Sequence, residues 1–501
     1  MFAQLLKAYS GHSVKNDVLS GAVVAIALVP EAIAFSLIAG VSPLVGLYTA
    51  FLLGLITALF GGKPGMISGA TGSVAVVMVS LVATHGVEYL FFATVLTGLL
   101  QVAFGLMKLA KFIRLVPQPA ILGFVNGLAI IIALAQLPMF EGEGAVMYFL
   151  VFATMATMVI LPKITKAVPA GLVAIVVLSL VTIIFDLDTK RVADLGNIAG
   201  DLPSFHWADV PLSLETLKIV LPYAFIMAAV GLIESLLTLS VLDEMSGEKG
   251  NANKEAVALG AGNATCGVFG GMAGCAMIGQ SIINYTSGGR GRLSGATAAI
   301  LLILFVVSLS EYIGQIPIAV LVGIMFMVSV ETFEWASMDR LRRMPKTDAF
   351  ILATVTIVTI FTDLAMAVII GVIISALVFA WQHARVYART YSEGRRKIYE
   401  FDGPLFFGSI QGFLDQFDVA NDPDEVVMDF KRTRVMDSSG VEAIDKITKR
   451  YEEANKKLTI RHLSNDCKKL LKAAGKYCTY EEDDPTYKVA VNHEEYQKIY
   501  R

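Results

Sequence analysis

The sequence is dominated by apolar runs that are long enough to cross a lipid bilayer. A bilayer core of about 30 Å needs roughly 20 apolar residues per helix, and eleven such runs occur before residue 383. Only 17% of the 501 residues are charged, against roughly 25% in ordinary soluble domains. We therefore predict an α-helical polytopic membrane protein, with spans near 17–39, 44–61, 89–107, 117–139, 145–162, 168–185, 215–242, 295–313, 316–335, 348–362 and 364–382.

Two further segments are too short and too rich in glycine to be ordinary spans. One covers 68–83 and follows the glycines of 61–65, and the other covers 274–285 and follows Gly270 and Gly271. With a moderately apolar segment at 254–269, the total comes to about fourteen membrane elements. An even number places both termini on the same side of the membrane.

Lysine and arginine are concentrated in the connections on one side of this fourteen-element arrangement. Short basic connections usually face the cytoplasm. We therefore expect both termini in the cytoplasm and the chain in a bacterial plasma (inner) membrane. The basic stretches lie at 108–114, 163–166, 290–292, 340–346 and 385–397.

The two short elements occupy equivalent places in the two halves of the chain. Interrupted helices at matching positions indicate a transporter site near the middle of the membrane. A half-helix that begins there directs unpaired N–H groups and the positive end of its dipole into the cavity, which favours an anion. The alternative is that small residues only let helices pack closely. The predicted anion-binding residues are Ala70, Thr71, Gly72 and Ser73 in the first element and Gly274, Cys275, Ala276, Met277 and Ile278 in the second.

Two acids lie inside apolar spans, where ionisable groups are costly and are therefore functional candidates. Glu31 follows Pro30 in the first span, and Glu234 lies four residues before Thr238 on the same helical face. An acid beside an anion site needs compensation by Na⁺, by a proton or by a paired base. We expect Glu31 at the substrate site and Glu234 with Thr238 at the site of the coupling ion. The alternative is a carboxylate that only bonds a neighbouring helix.

The chain resembles the sulfate permease (SulP, solute carrier family 26) anion transporters. The first span reads Val-Pro-Glu-Ala-Ile-Ala-Phe-Ser at 29–36 and continues as Ala-Gly-Val-Ser-Pro-Leu-Val-Gly-Leu-Tyr at 39–48, which looks like the signature of that family. Less specific matches lie at 123–127, 270–277 and 288–295. The resemblance covers essentially the whole chain.

This resemblance implies a UraA-like fold of seven-plus-seven inverted repeats with two half-helices, a core domain that carries the third and tenth elements, a gate domain, and a homodimer. It also implies elevator-like movement of the core against the gate. Family members that transport bicarbonate with sodium carry an acid and a threonine at the positions of Glu234 and Thr238. Glu31 and Ala273 stand where many members have glutamine and proline, which bears on the substrate rather than on the fold.

The polar tail has strands alternating with helical segments, which is typical of a small α/β domain. Its Met-Asp-Ser-Ser-Gly sequence at 436–440 is similar to the STAS (sulphate transporter and anti-sigma-factor antagonist) domain. That resemblance implies Ser439 as a regulatory phosphorylation site, whereas the alternative is that Asp437 and Ser438 simply cap a helix. The expected division is a transport domain at 1–385, a linker at 386–398 and a cytoplasmic STAS domain at 399–501.

Transport is the function that these features favour, and the chain is not expected to be an enzyme. No ATP-binding lysine motif and no metal-ligand spacing is present in the sequence. We favour secondary active uptake of bicarbonate or sulfate coupled to Na⁺, without any other cofactor and without nucleic acid as a partner. Proton-coupled sulfate or dicarboxylate symport, anion exchange, a channel-like conductor and a receptor that signals through the STAS domain remain alternatives.

Overall fold

A computed structural model describes residues 11–110, 117–165, 169–195, 202–341, 343–361 and 364–474. The chain forms two compact units, Met1–Val372 and Ile373–Arg501. Parts of the predicted basic connections, at 111–116, 166–168 and 342, lie outside the described residues, as does the end of the STAS segment at 475–501.

Fourteen helices in the described ranges coincide with the fourteen predicted elements. Seven of them are long and apolar enough to cross a membrane. A short helix, Trp335–Leu341, lies between the twelfth and the thirteenth. The fourteen are α1 Gly11–Ile38, α2 Pro43–Phe60, α3 Gly72–His85, α4 Val87–Leu106, α5 Gln118–Leu134, α6 Ala145–Ile164, α7 Ala170–Ile184, α8 Leu214–Ser246, α9 Ala252–Val268, α10 Ile278–Thr286, α11 Arg292–Gly314, α12 Ile318–Thr332, α13 Lys346–Phe361 and α14 Leu364–His383.

The helices pack in two groups. One group combines α1–α4 with α8–α11, and the other combines α5–α7 with α12 and α13. The pairs that pack together repeat after a shift of seven helices: α2 on α11 corresponds to α9 on α4, and α13 on α5 corresponds to α6 on α12. Two inverted repeats of seven helices produce this pattern, which confirms the predicted architecture.

Helices α4 and α9 approach each other at backbone distance. A Cβ atom added to Gly98 would lie 2.4 Å from the carbonyl oxygen of Gly260. Small residues permit such close crossings inside membranes. The contact holds α9 firmly against α4, and both helices carry buried amide side chains near the candidate site.

A two-residue antiparallel ribbon joins the two halves of the first group. Strand β1, Ser68–Gly69, pairs with strand β2, Cys275–Ala276, in the register Ser68 to Ala276 and Gly69 to Cys275. A Cβ atom on Gly274 would lie 2.1 Å from the carbonyl oxygen of Gly69, so only glycine fits there. Each short element therefore consists of an extended entry segment followed by a helix.

The second unit contains a four-stranded sheet in the order β3-β4-β5-β6. Strand β3 is antiparallel to β4, whereas β4, β5 and β6 are parallel. The hydrophobic core includes Phe401, Phe413, Phe430, Ile444 and Tyr451. The elements are β3 Tyr387–Glu393, β4 Arg396–Leu405, α15 Ile410–Leu414, β5 Glu425–Val435, α16 Ser438–Glu453, β6 Lys457–Arg461 and α17 Asn465–Ala474.

The segment predicted as a linker, 386–398, contains strand β3 and the start of β4. The compact unit that holds the sheet begins earlier, at Ile373. Nearly every residue of β3 is exposed, because this strand lies at the edge of the sheet. An exposed edge strand lacks the alternation of apolar and polar residues that marks a half-buried strand, so its sequence resembles a polar linker.

Candidate functional site

The amino-terminal ends of α3 and α10 lie just beyond the β1–β2 ribbon. Helix α3 begins at Gly72 and α10 at Ile278, and the cap residues Thr71 and Met277 provide no side-chain hydrogen bond to the first turn. The first N–H groups of a helix have no partner within it. Two positive helix ends are thus brought together by antiparallel pairing of equivalent segments.

The predicted anion-binding residues contribute unequally. The N–H groups of Gly274, Ala276 and Met277 already donate to Asn263, Ser235 and Ile67 respectively. Among the described residues, the N–H groups of Ile278 and Gly279 form no such bond. The second helix therefore offers its first turn, rather than the preceding strand, to an anion.

The methyl group of Ala276 belongs to a small hydrophobic cluster with Met66, Leu239 and Leu242. Its side chain therefore contributes to packing, and its predicted role in anion binding stays a prediction. In contrast, Gly279 is exposed, and a Cβ atom added to it would meet no other atom within 4 Å. Open space thus lies in front of the first turn of α10.

Glu234 contacts the entry segments of both half-helices. Its Oε2 atom accepts hydrogen bonds from the Ser73 hydroxyl and from the Cys275 thiol, the latter at 3.0 Å. The Cys275 sulfur also lies 3.0 Å from the Thr71 hydroxyl. The carboxylate of α8 is therefore linked to residues that precede or begin α3 and α10.

Thr238 lies next to this carboxylate but bonds the backbone. Its hydroxyl donates to the carbonyl of Glu234 at 2.8 Å and to that of Ala276 at 3.4 Å. The groups around Glu234 are thus hydroxyl, carbonyl and carboxylate oxygens together with one thiol. Oxygen atoms of this kind are the ligands of hard cations, so this set of donors fits Na⁺.

Glu31 belongs to a separate part of the same site. Its Oε1 atom accepts a hydrogen bond of 2.6 Å from the Gln280 side-chain amide, in the first turn of α10. The Gln280 Oε1 atom is buried without a hydrogen-bond partner in the structure. Among the described residues, neither Glu31 nor Glu234 forms an ion pair with a base. A paired base is therefore not the compensating charge in this part of the chain.

Two buried amides support the site and were not predicted. Asn263 of α9 bonds both backbone polar groups of Gly274, and Gln101 of α4 accepts a hydrogen bond from Asn263 at 2.8 Å. Both side chains are fully buried. The sequence could have pointed to both residues, because each is a polar amide inside an apolar span, where such groups are costly unless they are paired.

Ser439 is the second residue of α16, and the structure places Asp437 at the cap. Asp437 accepts hydrogen bonds of 2.9 Å from the N–H groups of Gly440 and Phe407. The capping role predicted for Asp437 is therefore present, whereas Ser438 is the first residue of the helix. Phosphorylation of Ser439 stays a prediction.

Comparison with known proteins gives the same two-part organisation. The model of the sulfate permease family matches residues 14–146 and 143–355, and the STAS domain model matches residues 387–486. YbaR of Bacillus subtilis (strain 168), a protein named for sulfate transport, is 44% identical over 462 residues, which cover 92% of this chain and 97% of YbaR. The bicarbonate transporter BicA of Picosynechococcus is 28% identical and covers 83% of each chain.

Solved structures show the same fold. The transmembrane domain of a cyanobacterial bicarbonate transporter BicA superposes with a TM-score of 0.66 at 31% identity, over 72% of this chain and 98% of that domain. The murine solute carrier 26 family member A9 anion transporter superposes with a TM-score of 0.83 over 95% of this chain and 89% of its own. At 17% identity, the second likeness concerns the fold alone.

Proposed function

The chain belongs to the sulfate permease family, and from this premise we propose that it takes up a small oxyanion, bicarbonate or sulfate, together with Na⁺. The single observation that carries the proposal is the contact of Glu234 with Ser73 and Cys275, beside two facing helix ends. One group of atoms thereby offers positive dipoles to an anion and oxygen ligands to a cation.

Anion binding is supported by the free N–H groups and by the helix dipoles. Each helix end carries about half a positive elementary charge, and no basic side chain is needed to hold a small oxyanion there. Names of relatives point to both sulfate and bicarbonate. The two anions share the oxygen acceptors that such donors bind.

Coupling to a cation is supported by the acids of the site. Glu31 and Glu234 are half-buried near the place where the anion would bind, and uncompensated they would oppose it. A bound Na⁺ at Glu234 and Thr238 removes this repulsion. A proton on the carboxylate is the competing explanation, and the choice between them is experimental.

An elevator-type cycle is supported by the packing groups. The residues of the site come from α1, α3, α8 and α10, which all belong to the first group. The anion and its coupling ion could therefore move as one body against the second group. We infer in addition that both termini face the cytoplasm of a bacterial cell and that the chain assembles as a homodimer.

Uptake by proteoliposomes tests the proposal directly. Labelled bicarbonate, sulfate and a dicarboxylate are offered with an inward Na⁺ gradient, an inward proton gradient or neither. We expect saturable accumulation of bicarbonate or sulfate with Na⁺ alone. Accumulation with protons alone would establish the symport alternative, and non-saturating flux without any gradient would establish a channel. Absence of accumulation in every arm would refute coupled transport.

Gly279 provides the test of where the anion binds. A Cβ atom at Gly279 meets no other atom within 4 Å, so Gly279→Ala fills little of the open space beside the first turn of α10, whereas Gly279→Leu fills more of it. We expect the leucine variant to lose at least tenfold in anion affinity, and the alanine variant to remain close to wild type. Wild-type affinity in a well-folded Gly279→Leu protein would place the anion elsewhere.

A further inference from the structure

The Asn263 side chain bonds the backbone of Gly274 on both sides. Its Oδ1 atom accepts the Gly274 N–H at 2.9 Å, and its Nδ2 atom donates to the Gly274 carbonyl at 3.0 Å. The second Nδ2 hydrogen serves the Gln101 Oε1 atom at 2.8 Å. One buried amide thus replaces the partner strand that Gly274 would otherwise need.

Gln101 determines which way round the Asn263 amide lies. The Gln101 Nε2 atom donates to the carbonyl of Ala228 in α8 at 3.5 Å, so its Oε1 atom is directed to Asn263. A flipped Asn263 would place oxygen against oxygen both at Gln101 and at the Gly274 carbonyl. The chain of bonds therefore favours a single orientation of Asn263 and a single orientation of the Gly274 peptide groups.

The entry segment of α3 is held by a smaller side chain: the buried Ser281 hydroxyl of α10 accepts the Ile67 N–H at 3.0 Å and donates to the Ile67 carbonyl at 3.3 Å. The Ser68 hydroxyl is buried without a hydrogen-bond partner, and β1 is positioned by pairing with β2 and by close packing near Gly54. The orientation of β2 is therefore transmitted to β1 through the ribbon. The end of α10 therefore depends directly on the segment that Asn263 holds, and the end of α3 is linked to that segment through the ribbon.

We propose that Asn263, oriented by Gln101, is a positioning residue of the anion site. It sets the direction of the segment from Gly274 to Ile278, and hence of the free N–H groups at the start of α10. Asn263 does not itself touch the anion. The inference rests on the proposed function, because it assigns Asn263 to the site at which anion uptake occurs.

Asn263→Asp is the decisive substitution, because it preserves shape and exchanges one donor for an acceptor. The ionised side chain would repel both the Gly274 carbonyl and the Gln101 Oε1 atom, whereas the protonated side chain can again donate to one of them. A buried carboxyl group takes up a proton at higher pH than an exposed one. Glu234 bonds Cys275, the residue after Gly274, and its negative charge also disfavours a second one nearby.

The measurement is the KM and the maximal rate of uptake between pH 6 and pH 8 at a fixed Na⁺ gradient. Labelled sulfate or labelled bicarbonate is offered over a series of concentrations that is the same at every pH. We expect Asn263→Asp to raise KM at least about tenfold at pH 8, because the ionised side chain loses the hydrogen bonds that Nδ2 donates and loss of one buried hydrogen bond alone has this order of effect. The rise should shrink as the pH falls. Asn253→Asp, at the start of the same helix, keeps the acceptor that bonds Ala110 and should follow the wild-type pH profile.

Gln101→Met keeps the proposal testable if Asn263→Asp fails to fold. It removes the acceptor that orients Asn263 and should raise KM two- to fivefold with little change in maximal rate. An unchanged KM in whichever variant folds would overturn the positioning role. Failure of the proposed function is distinguishable, because the wild-type protein would then show no saturable uptake, or Gly279→Leu would leave affinity intact.

Discussion

Replacement of Glu234 by glutamine separates cation binding from the structure that supports it. Glutamine has nearly the same shape, and its amide oxygen can accept the hydrogen bonds now donated by Ser73 and Cys275. The backbone contact of Thr238 does not involve the carboxylate. We therefore expect Glu234→Gln to remain folded and to lose Na⁺-stimulated uptake at the Na⁺ concentrations that saturate the wild-type protein.

The size of the effect follows from the charge that is removed. A unit charge about 4 Å from Na⁺ contributes about 4 kcal/mol at an effective dielectric constant of 20. The amide oxygen of glutamine would still serve as a ligand and would retain part of this. If half is lost, about 2 kcal/mol, the half-saturating Na⁺ concentration rises roughly 30-fold.

The assay is the initial rate of anion uptake against external Na⁺ concentration, at a fixed anion concentration and a fixed pH. Glu244→Gln is the matched control, because Glu244 lies on the same helix, is exposed and loses the same charge. We expect the control to keep the wild-type half-saturation. A wild-type Na⁺ response in Glu234→Gln would refute the assignment of Glu234 to the coupling ion.

Two further substitutions test the supports of the two units. Gly274→Ala should cost about 1–3 kcal/mol of stability, because its Cβ atom would collide with the Gly69 carbonyl; thermal unfolding should show this loss in Gly274→Ala and not in Gly279→Ala. Tyr451→Phe should cost about 1–3 kcal/mol, because it removes a hydrogen bond to buried Asp422. Burial raises the pKa of Tyr451, so its hydroxyl stays a donor. In full-length Tyr451→Phe, amide hydrogen exchange around Asp422 should be faster than in the wild type. Unchanged exchange would contradict this role of Tyr451.

The architecture was predictable because bilayer thickness sets the length of each apolar run. Fourteen elements, two of them short, could be counted from hydropathy and from glycine breaks, and the structure contains helices at all fourteen places. The sequence predicted that Glu234 lies near the half-helices, but it did not predict which atoms Glu234 bonds. A carboxylate in an apolar span needs partners, and only the structure identifies them as the Ser73 hydroxyl and the Cys275 thiol.

The sequence does not predict where individual side chains and N–H groups point, or which residues they contact. Composition marks Ala276 as small, but only the fold shows that its methyl group packs with Leu239 and that its N–H is already donated to Ser235. The partners of Asn263 are separated from it by 11 and 162 residues in the chain. Hydrogen bonds between such distant residues leave no pattern in the local sequence, because each partner is only an isolated polar group in an apolar span.

The contacts of Glu234 suggest how two opposite charges could be coupled. The carboxylate accepts the hydrogen bond of the Ser73 hydroxyl at the start of α3, so the same group both repels an anion and withholds a donor from it. In the proposed cycle, Na⁺ would bind the carboxylate oxygens, neutralise the charge and release the hydroxyl. Coupling of this kind is reciprocal, since a cation that strengthens anion binding is itself held more tightly by the anion, typically by about 5–150-fold. In the proposed cycle, the single carboxylate between two helix ends would make the loading of either ion depend on the other.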